Sequence, residues 1–271
     1  SRIKNFQENL GEGWKKEYKQ YRKEWSDLPK KSTIREYPLL VDLEMSSRCN
    51  LKCPMCYTIT DDFISKIQKG FMDFDLFKKV VDEIAGKVYA LRLSLRGEST
   101  LHKNFREAIK YAKKKGIKEV STLTNGSAIK GQFMRDVVDN GLDWITISID
   151  GMGDNYNKIR KPMTYEKILK RLKELQDYKR VKGTKKPVVK VQGIWPAIRP
   201  YPSEYFNSLK PVTDLIAYNP LIDYLSNDKD IIYEENFSCP QLYQRLTIFS
   251  DGRAAMSANA GYGFNDKEEI V

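Results

Sequence analysis

Three of the four cysteines in this 271-residue chain, Cys49, Cys53 and Cys56, fall within eight positions of one another, and the fourth, Cys239, stands far away. Three neighbouring thiols cannot all pair with each other, and a chain without a secretory segment seldom keeps such a cluster for disulfides. Metal binding is the physical default. Three thiolates from one loop suit an iron-sulfur cube that leaves its fourth iron open, whereas structural zinc or an electron-transfer cluster wants four protein ligands. Cys239 or His102, the only histidine, could complete a zinc site, but the sequence has no second Cys-x-x-Cys pair.

Other polar groups recur at intervals after strand-like segments. Arg96-Gly97-Glu98-Ser99-Thr100, Thr124-Asn125-Gly126, Ser148 to Asp150-Gly151, and Gln192 are each ordinary turn or helix-start chemistry taken alone. Their common placement after successive strands matters more, because in parallel α/β folds the loops at the C-terminal strand ends open on one face.

The elements that must position them follow from hydrophobic period. Strand-like runs at 39–45, 89–95, 118–123, 143–149, 188–194 and 213–217 alternate with helical patterns at 75–86, 103–115, 130–140, 164–180 and 203–209. Six βα units in about 180 residues predict an α/β fold built as an open, partial (β/α)6 TIM-like barrel, since a closed eight-unit barrel needs about 250. Residues 1–36 read as an N-terminal helical arm. Phe6, Leu10, Trp14, Tyr18, Tyr21, Trp25 and Leu28 form one aromatic stripe there, suited to packing on the core at 37–217. Residues 218–236 read as a linker and 237–271 as a small module with a hairpin turning at Asp251-Gly252.

Composition bounds the rest. With 41% hydrophobic and 11% aromatic residues the chain folds despite 31% charged residues and a mean hydropathy of −0.58. It has no apolar run long enough to span a membrane and no signal-like start, so a cytoplasmic protein with no membrane partner is expected. The net charge of +11 concentrates between Arg160 and Lys186, where eleven basic residues face three acidic ones. That segment reads as a solvated helix face or as a docking face for an anionic partner. Nucleic acid is not favoured, because aromatic interleaving is limited to Tyr165 and Tyr178.

The run Cys49-Asn50-Leu51-Lys52-Cys53-Pro54-Met55-Cys56, together with Gly97-Glu98 after the second strand, resembles the CxxxCxxC loop and motif context of the radical SAM superfamily. The resemblance implies a [4Fe-4S] cluster on Cys49, Cys53 and Cys56, with its open iron chelated by S-adenosylmethionine (SAM). Met55 occupies the position where members usually place an aromatic against adenine, and its thioether can fill the same apolar role. Arg96-Gly97-Glu98-Ser99 resembles the Gly-Gly-Glu-Pro motif, whose Glu accepts hydrogen bonds from the SAM ammonium. Ser148 and Asp150 resemble positions that meet the ribose or methionyl part, and Arg160 resembles an arginine that pairs the SAM carboxylate. Asn125 is expected in the same pocket and Gln192 on the adenine or substrate side.

The implied chemistry is reductive cleavage of SAM and hydrogen abstraction from a substrate carbon, with the electron drawn from an external donor. It needs no acid-base triad, so His102 reads as structural support. Cys239-Pro240-Gln241-Leu242 and the following Leu246 to Arg253 resemble the opening of a SPASM or Twitch extension. Ser257 and Ala260 depart from that pattern, and one cluster is expected. The substrate implied is a ribosomally made peptide or, alternatively, a sugar, nucleotide sugar or aminoglycoside, probed by oxidoreductase, epimerase or bond-forming chemistry. A non-catalytic iron-sulfur or zinc module is the reading from another class.

Overall fold

The structure is a computed structural model that describes residues 1–221 and 237–256. Among the described residues eight strands form one sheet in the order β6-β5-β4-β3-β2-β1-β7-β8: β1 (Leu40–Leu43), β2 (Ala90–Arg92), β3 (Glu119–Thr124), β4 (Trp144–Ser148), β5 (Val188–Ile194), β6 (Leu215–Asn219), β7 (Arg245–Ile248) and β8 (Ala254–Ala255). Among the described residues every pairing is parallel except β7 with β8, and β6 and β8 stand at the two edges without joining each other, so the barrel is open as expected.

The helices in chain order are α1 (Arg2–Leu10), α2 (Lys15–Lys30), α3 (Asp61–Lys66), α4 (Phe74–Ile84), α5 (Phe105–Lys114), α6 (Gly131–Asp139), α7 (Gly153–Ile159), α8 (Tyr165–Lys182), α9 (Trp195–Ile198), α10 (Pro202–Leu209) and α11 (Gln241–Gln244). Their apolar faces meet one face of the sheet. Phe77 and Val81 of α4, Ala108 and Ile109 of α5, and Ile168 and Leu172 of α8 join Val41, Leu43, Leu91, Ile145, Ile147, Val189 and Val191 in one core. Strand side chains alternate, so the intervening residues face the lumen. There the sheet is polar: Asp42 and Glu44 from β1 and its end, Arg92 from β2, Thr146 and Ser148 from β4, Lys190 and Gln192 from β5, Arg245 and Thr247 from β7.

The arm closes the N-terminal end of the lumen. Phe6, Leu10, Trp14, Tyr18 and Tyr21 form a second core with Leu40, Ala90 and Val188, the first residues of their strands, and Phe6 meets Trp144 edge-on at 5.6 Å. The aromatic stripe is therefore packing, as its helical spacing suggests.

Three sequence expectations meet a different structure. The second strand, expected over 89–95, stops at Arg92 because Ser94 Oγ accepts the N–H of Leu123 at 2.9 Å, where a backbone carbonyl would otherwise continue the ladder. The hairpin at 245–255 forms around Gly252, whose φ is +90°, but β7 extends the barrel wall beside β1 over Leu40–Leu43. The basic segment at 160–186 is also not uniformly solvated. Lys179 is buried against Asp214 at 3.2 Å, Lys186 meets Asp143 at 2.7 Å, and Arg171 donates to the Gly126 carbonyl at 2.9 Å. Ser257, Ala260 and most of the expected linker lie outside the described residues.

Candidate active site

At the C-terminal strand ends, a cavity of about 240 Å³ is lined by Cys49, Met55, Cys53 and Cys56 from the loop after β1, and by Gly97 and Glu98 from the loop after β2. Thr124 and Asn125 at the end of β3, Ser148 and Asp150 at the end of β4, Arg160 just after α7, and Ile194 of β5 also line it, with Leu51, Leu95 and Leu123 as further apolar wall. Of the eleven residues singled out from sequence, only Gln192 does not line it. Gln192 sits two residues before Ile194 on β5, paired in register with Ser148. A larger cavity of about 680 Å³ runs along the arm between residues such as Gln7, Tyr18 and Lys185, but no comparable set of reactive groups gathers there. Size alone does not mark the site.

The cysteine loop is held by its polar neighbours. Asn125 Nδ2 donates to Asn50 Oδ1 at 2.9 Å and approaches Cys49 Sγ at 3.9 Å, while Asn50 Nδ2 donates to Ser127 at 3.0 Å. Gly97 has φ +67°, and an added Cβ would stand 2.6 Å from the Ser46 carbonyl oxygen and 2.7 Å from that of Arg48. Only glycine lets the second loop lie this close to the first. The N–H of Glu98 then donates to the Arg48 carbonyl at 2.7 Å.

Glu98 is almost wholly buried, and its carboxylate is already engaged. Oε1 accepts from the Thr100 N–H at 3.2 Å, the Thr100 hydroxyl and Thr124 Oγ1 at 2.7 Å; Oε2 accepts from the Asn125 N–H at 2.7 Å. A carboxylate offers about four acceptor positions, two to each oxygen, so Oε1 is full and Oε2 keeps capacity for one more donor. Asp150 is held in the same manner: Oδ2 takes Arg160 Nε at 2.7 Å and Arg160 Nη2, and Oδ1 takes the Ile194 N–H at 2.9 Å. Burial works against the charge of Arg160, but Asp150 and then Cys53 outweigh it and hold its pKa above the usual value.

Burial pushes the Cys53 thiol up, and the nearby Arg160 cation partly opposes this; burial likewise raises Cys49. Among the described residues, no group of three or more His, Cys, Asp or Glu side chains converges as the ligands of a single ion do. The three thiols instead line the walls of one cavity, which suits ligands on separate corners of a cube better than one tetrahedral ion. On donor chemistry and placement, the residues fit the cluster implied by the sequence.

His102 faces away from this chemistry. Its Nδ1 accepts from the Asn104 N–H at 3.1 Å, so Nε2 carries the proton and donates to the Met72 carbonyl at 2.8 Å. The sequence reading missed Asn50 and Thr124 as bracing residues, and missed the pair behind the loops. Arg96 Nε and Nη2 donate to Glu44 at 2.6 and 2.9 Å, both residues are buried, and the guanidinium lies 4.3 Å from the Phe249 ring. Glu44 also accepts from the N–H and hydroxyl of Ser250 at 3.0 and 2.9 Å, so the C-terminal hairpin braces the same corner. The alternation of acids with apolar residues in Val41-Asp42-Leu43-Glu44 was the available signal.

Comparisons with known proteins agree with this geometry. The chain is 32% identical over 158 residues to the tungsten-containing aldehyde ferredoxin oxidoreductase cofactor-modifying protein of Pyrococcus furiosus, covering 55% of this chain and 42% of that protein. It is 30% identical over 116 residues to the Fe-coproporphyrin III synthase of Methanosarcina barkeri, covering 43% and 28%. The chain thus spans less than half the length of these curated relatives. Among solved structures, SuiB of Streptococcus suis superposes with a TM-score of 0.61 at 14% identity, over 93% of this chain and 67% of that one, and shares its fold. Residues 43–188 match the Radical SAM superfamily, a span that takes in the three thiols, Glu98, Asn125, Asp150 and Arg160 and more than half of the chain; the protein belongs to the radical SAM superfamily.

Proposed function

We propose that this protein holds a [4Fe-4S] cluster on Cys49, Cys53 and Cys56, binds SAM beside it, and removes hydrogen from a carbon of its substrate. The observation that carries the reading is the single cavity onto which the three thiols, Glu98, Ser148, Asp150 and Arg160 all open. A cluster held by Cys49, Cys53 and Cys56 would supply the electron for reductive cleavage of SAM and, through it, the power to abstract hydrogen from an unactivated carbon.

The chain's own residues bind, orient and exclude water. Glu98 Oε2 has room for one ammonium donor without giving up its present bonds. Arg160 spends Nε and Nη2 on Asp150, which leaves the Nη1 donors for a ligand carboxylate. Ser148 offers a hydroxyl at the end of β4, while Met55, Leu123 and Ile194 supply apolar wall that keeps water from the reacting atoms. Burial disfavours the Cys53 thiolate, the form that ligates iron, and the Arg160 cation beside it offsets part of that cost.

For the substrate, the names of the curated relatives speak of a cofactor, an iron coproporphyrin and, at 31% identity over 131 residues in Lacinutrix mariniflava, a nucleotide. They support a small anionic molecule ahead of the peptide or sugar expected from sequence. The reaction class, an external electron donor, and a SPASM- or Twitch-like character for 237–271 are part of the same proposal; the last is supported by Cys239-Pro240-Gln241 preceding the hairpin.

Anaerobic reconstitution with iron and sulfide, followed by dithionite and SAM, should yield 5′-deoxyadenosine, and Cys53→Ala should abolish it. Zinc in place of iron, or no cleavage by the wild-type chain, would defeat the enzyme reading. Deuterium carried from a labelled candidate substrate into 5′-deoxyadenosine identifies the substrate.

A further inference from the structure

The lumenal row of β5 carries a cation that the cavity above does not use. Val189 and Val191 turn into the core, so Lys190, Gln192 and Ile194 turn into the lumen, with Lys190 in register with Thr146 and Gln192 with Ser148. Lys190 Nζ donates to Gln192 Oε1 at 2.6 Å, which carries the amine toward the mouth of the barrel, and it lies 6.0 Å from the Trp144 ring.

Among the described residues, no carboxylate faces this ammonium. Burial lowers its pKa, and the only charge that adds to the effect is another cation, Arg92. The lumen's acids are taken elsewhere: Asp42 is shared between Arg92 at 2.6 Å and Arg245 at 3.2 Å, and Glu44 is held by Arg96 and Ser250. Glu119, at the N-terminal end of β3, interacts with Asp143, Arg22, Lys186 and Lys113 instead. Among the described residues, Lys190, Arg92 and Arg245 therefore have one carboxylate between them. A half-buried ammonium held only by a neutral amide is costly unless a counter-ion arrives, and an incoming oxyanion would find a charge-assisted donor already aimed at the mouth.

We propose that Lys190, with Gln192 beside it, anchors an oxyanion of the substrate, carboxylate or phosphoryl, in the lumen below the three cysteines. The anion site stands on the lumen's own charges; only its description as a substrate site rests on the enzyme reading. The basic segment at 160–186 is not this site, since α8 packs on the outer face of the sheet.

Calorimetric titration of the full chain with pyrophosphate and, separately, citrate distinguishes phosphoryl from carboxylate recognition. At least one of them binds the wild-type chain; its affinity falls by about tenfold or more in Lys190→Met and largely survives in Lys190→Arg. Lys170→Met, on the exposed face of α8, leaves it unchanged. If Lys190→Met does not fold, Lys190→Gln makes the same comparison. Equal affinity in the neutral variant and the wild type, or no binding of either anion to the wild type, overturns the proposal. Anion binding without SAM cleavage would instead sink the enzyme reading and leave the anion site standing.

Discussion

Glu119 lies where the arm seals the barrel, and its replacement by glutamine should make the protein more stable at alkaline pH. The carboxyl is completely buried; burial first, and Asp143 second, raise its pKa from the ordinary 4.5 to about 7, while Arg22, Lys186 and Lys113 pull less strongly the other way. A raised folded-state pKa means that the fold favours the protonated form. Its contribution to stability is full below the unfolded value and is lost as pH rises through the folded one. At 1.36 kcal/mol per pH unit, the interval between 4.5 and about 7 amounts to roughly 3 kcal/mol. Urea unfolding of the wild type and Glu119→Gln should therefore give similar free energies near pH 4.5. The curves should separate in favour of the variant by about 3 kcal/mol as pH rises to 7, and run parallel above it. Curves that stay parallel from pH 4.5 to 9 would show that Glu119 ionises as readily in the fold as in the unfolded chain, and would refute the buried-carboxyl account of the barrel floor.

Two further substitutions bear on the site. Gly97→Ala places a Cβ 2.6 Å from the Ser46 carbonyl oxygen at a φ of +67°, so thermal unfolding should show a loss of about 2 kcal/mol or more, with iron uptake reduced because the cysteine loop is displaced. Glu98→Gln should weaken SAM binding by about tenfold or more through loss of a charge-assisted acceptor; equilibrium dialysis with the reconstituted protein checks it, and unchanged affinity would remove Glu98 from the binding set.

The parts of this protein legible in its sequence are those whose signal is local. Strand and helix periods place six parallel strands, and the spacing of Cys49, Cys53 and Cys56 marks the loop. Positions after strands such as Gly97, Asn125 and Asp150 could be assigned to one mouth because parallel strands share a direction. What stayed hidden depends on partners distant in sequence. That Glu44 is held by Arg96 and Ser250, separated from it by 52 and 206 residues, follows from β7 docking beside β1, and nothing in the period of residues 245–248 distinguishes a barrel strand from an appended hairpin. Lys179 looks like one more surface lysine in a basic helix until Asp214 is placed beside it.

A common physical pattern links the residues expected to meet a ligand: each is already bonded within the protein. Glu98 spends four acceptor interactions on Thr100, Thr124 and Asn125, and Asp150 and Arg160 fix each other. Such contacts could be taken as evidence against a binding role, since an engaged carboxylate has less to offer. The count of positions argues otherwise, because each group retains one face: Oε2 of Glu98 and Nη1 of Arg160. A polar side chain held by neighbours while keeping one free donor or acceptor has little rotamer freedom left to lose when a ligand arrives, and little reorganisation to undergo. Buried charge is expensive when unpaired, so a site that must stay polar between ligand encounters is built from groups that satisfy one another first. Lys190 is the exception in the lumen, paired to a neutral amide and facing another cation, and that contrast is why the missing counter-charge is assigned to a ligand rather than to the protein.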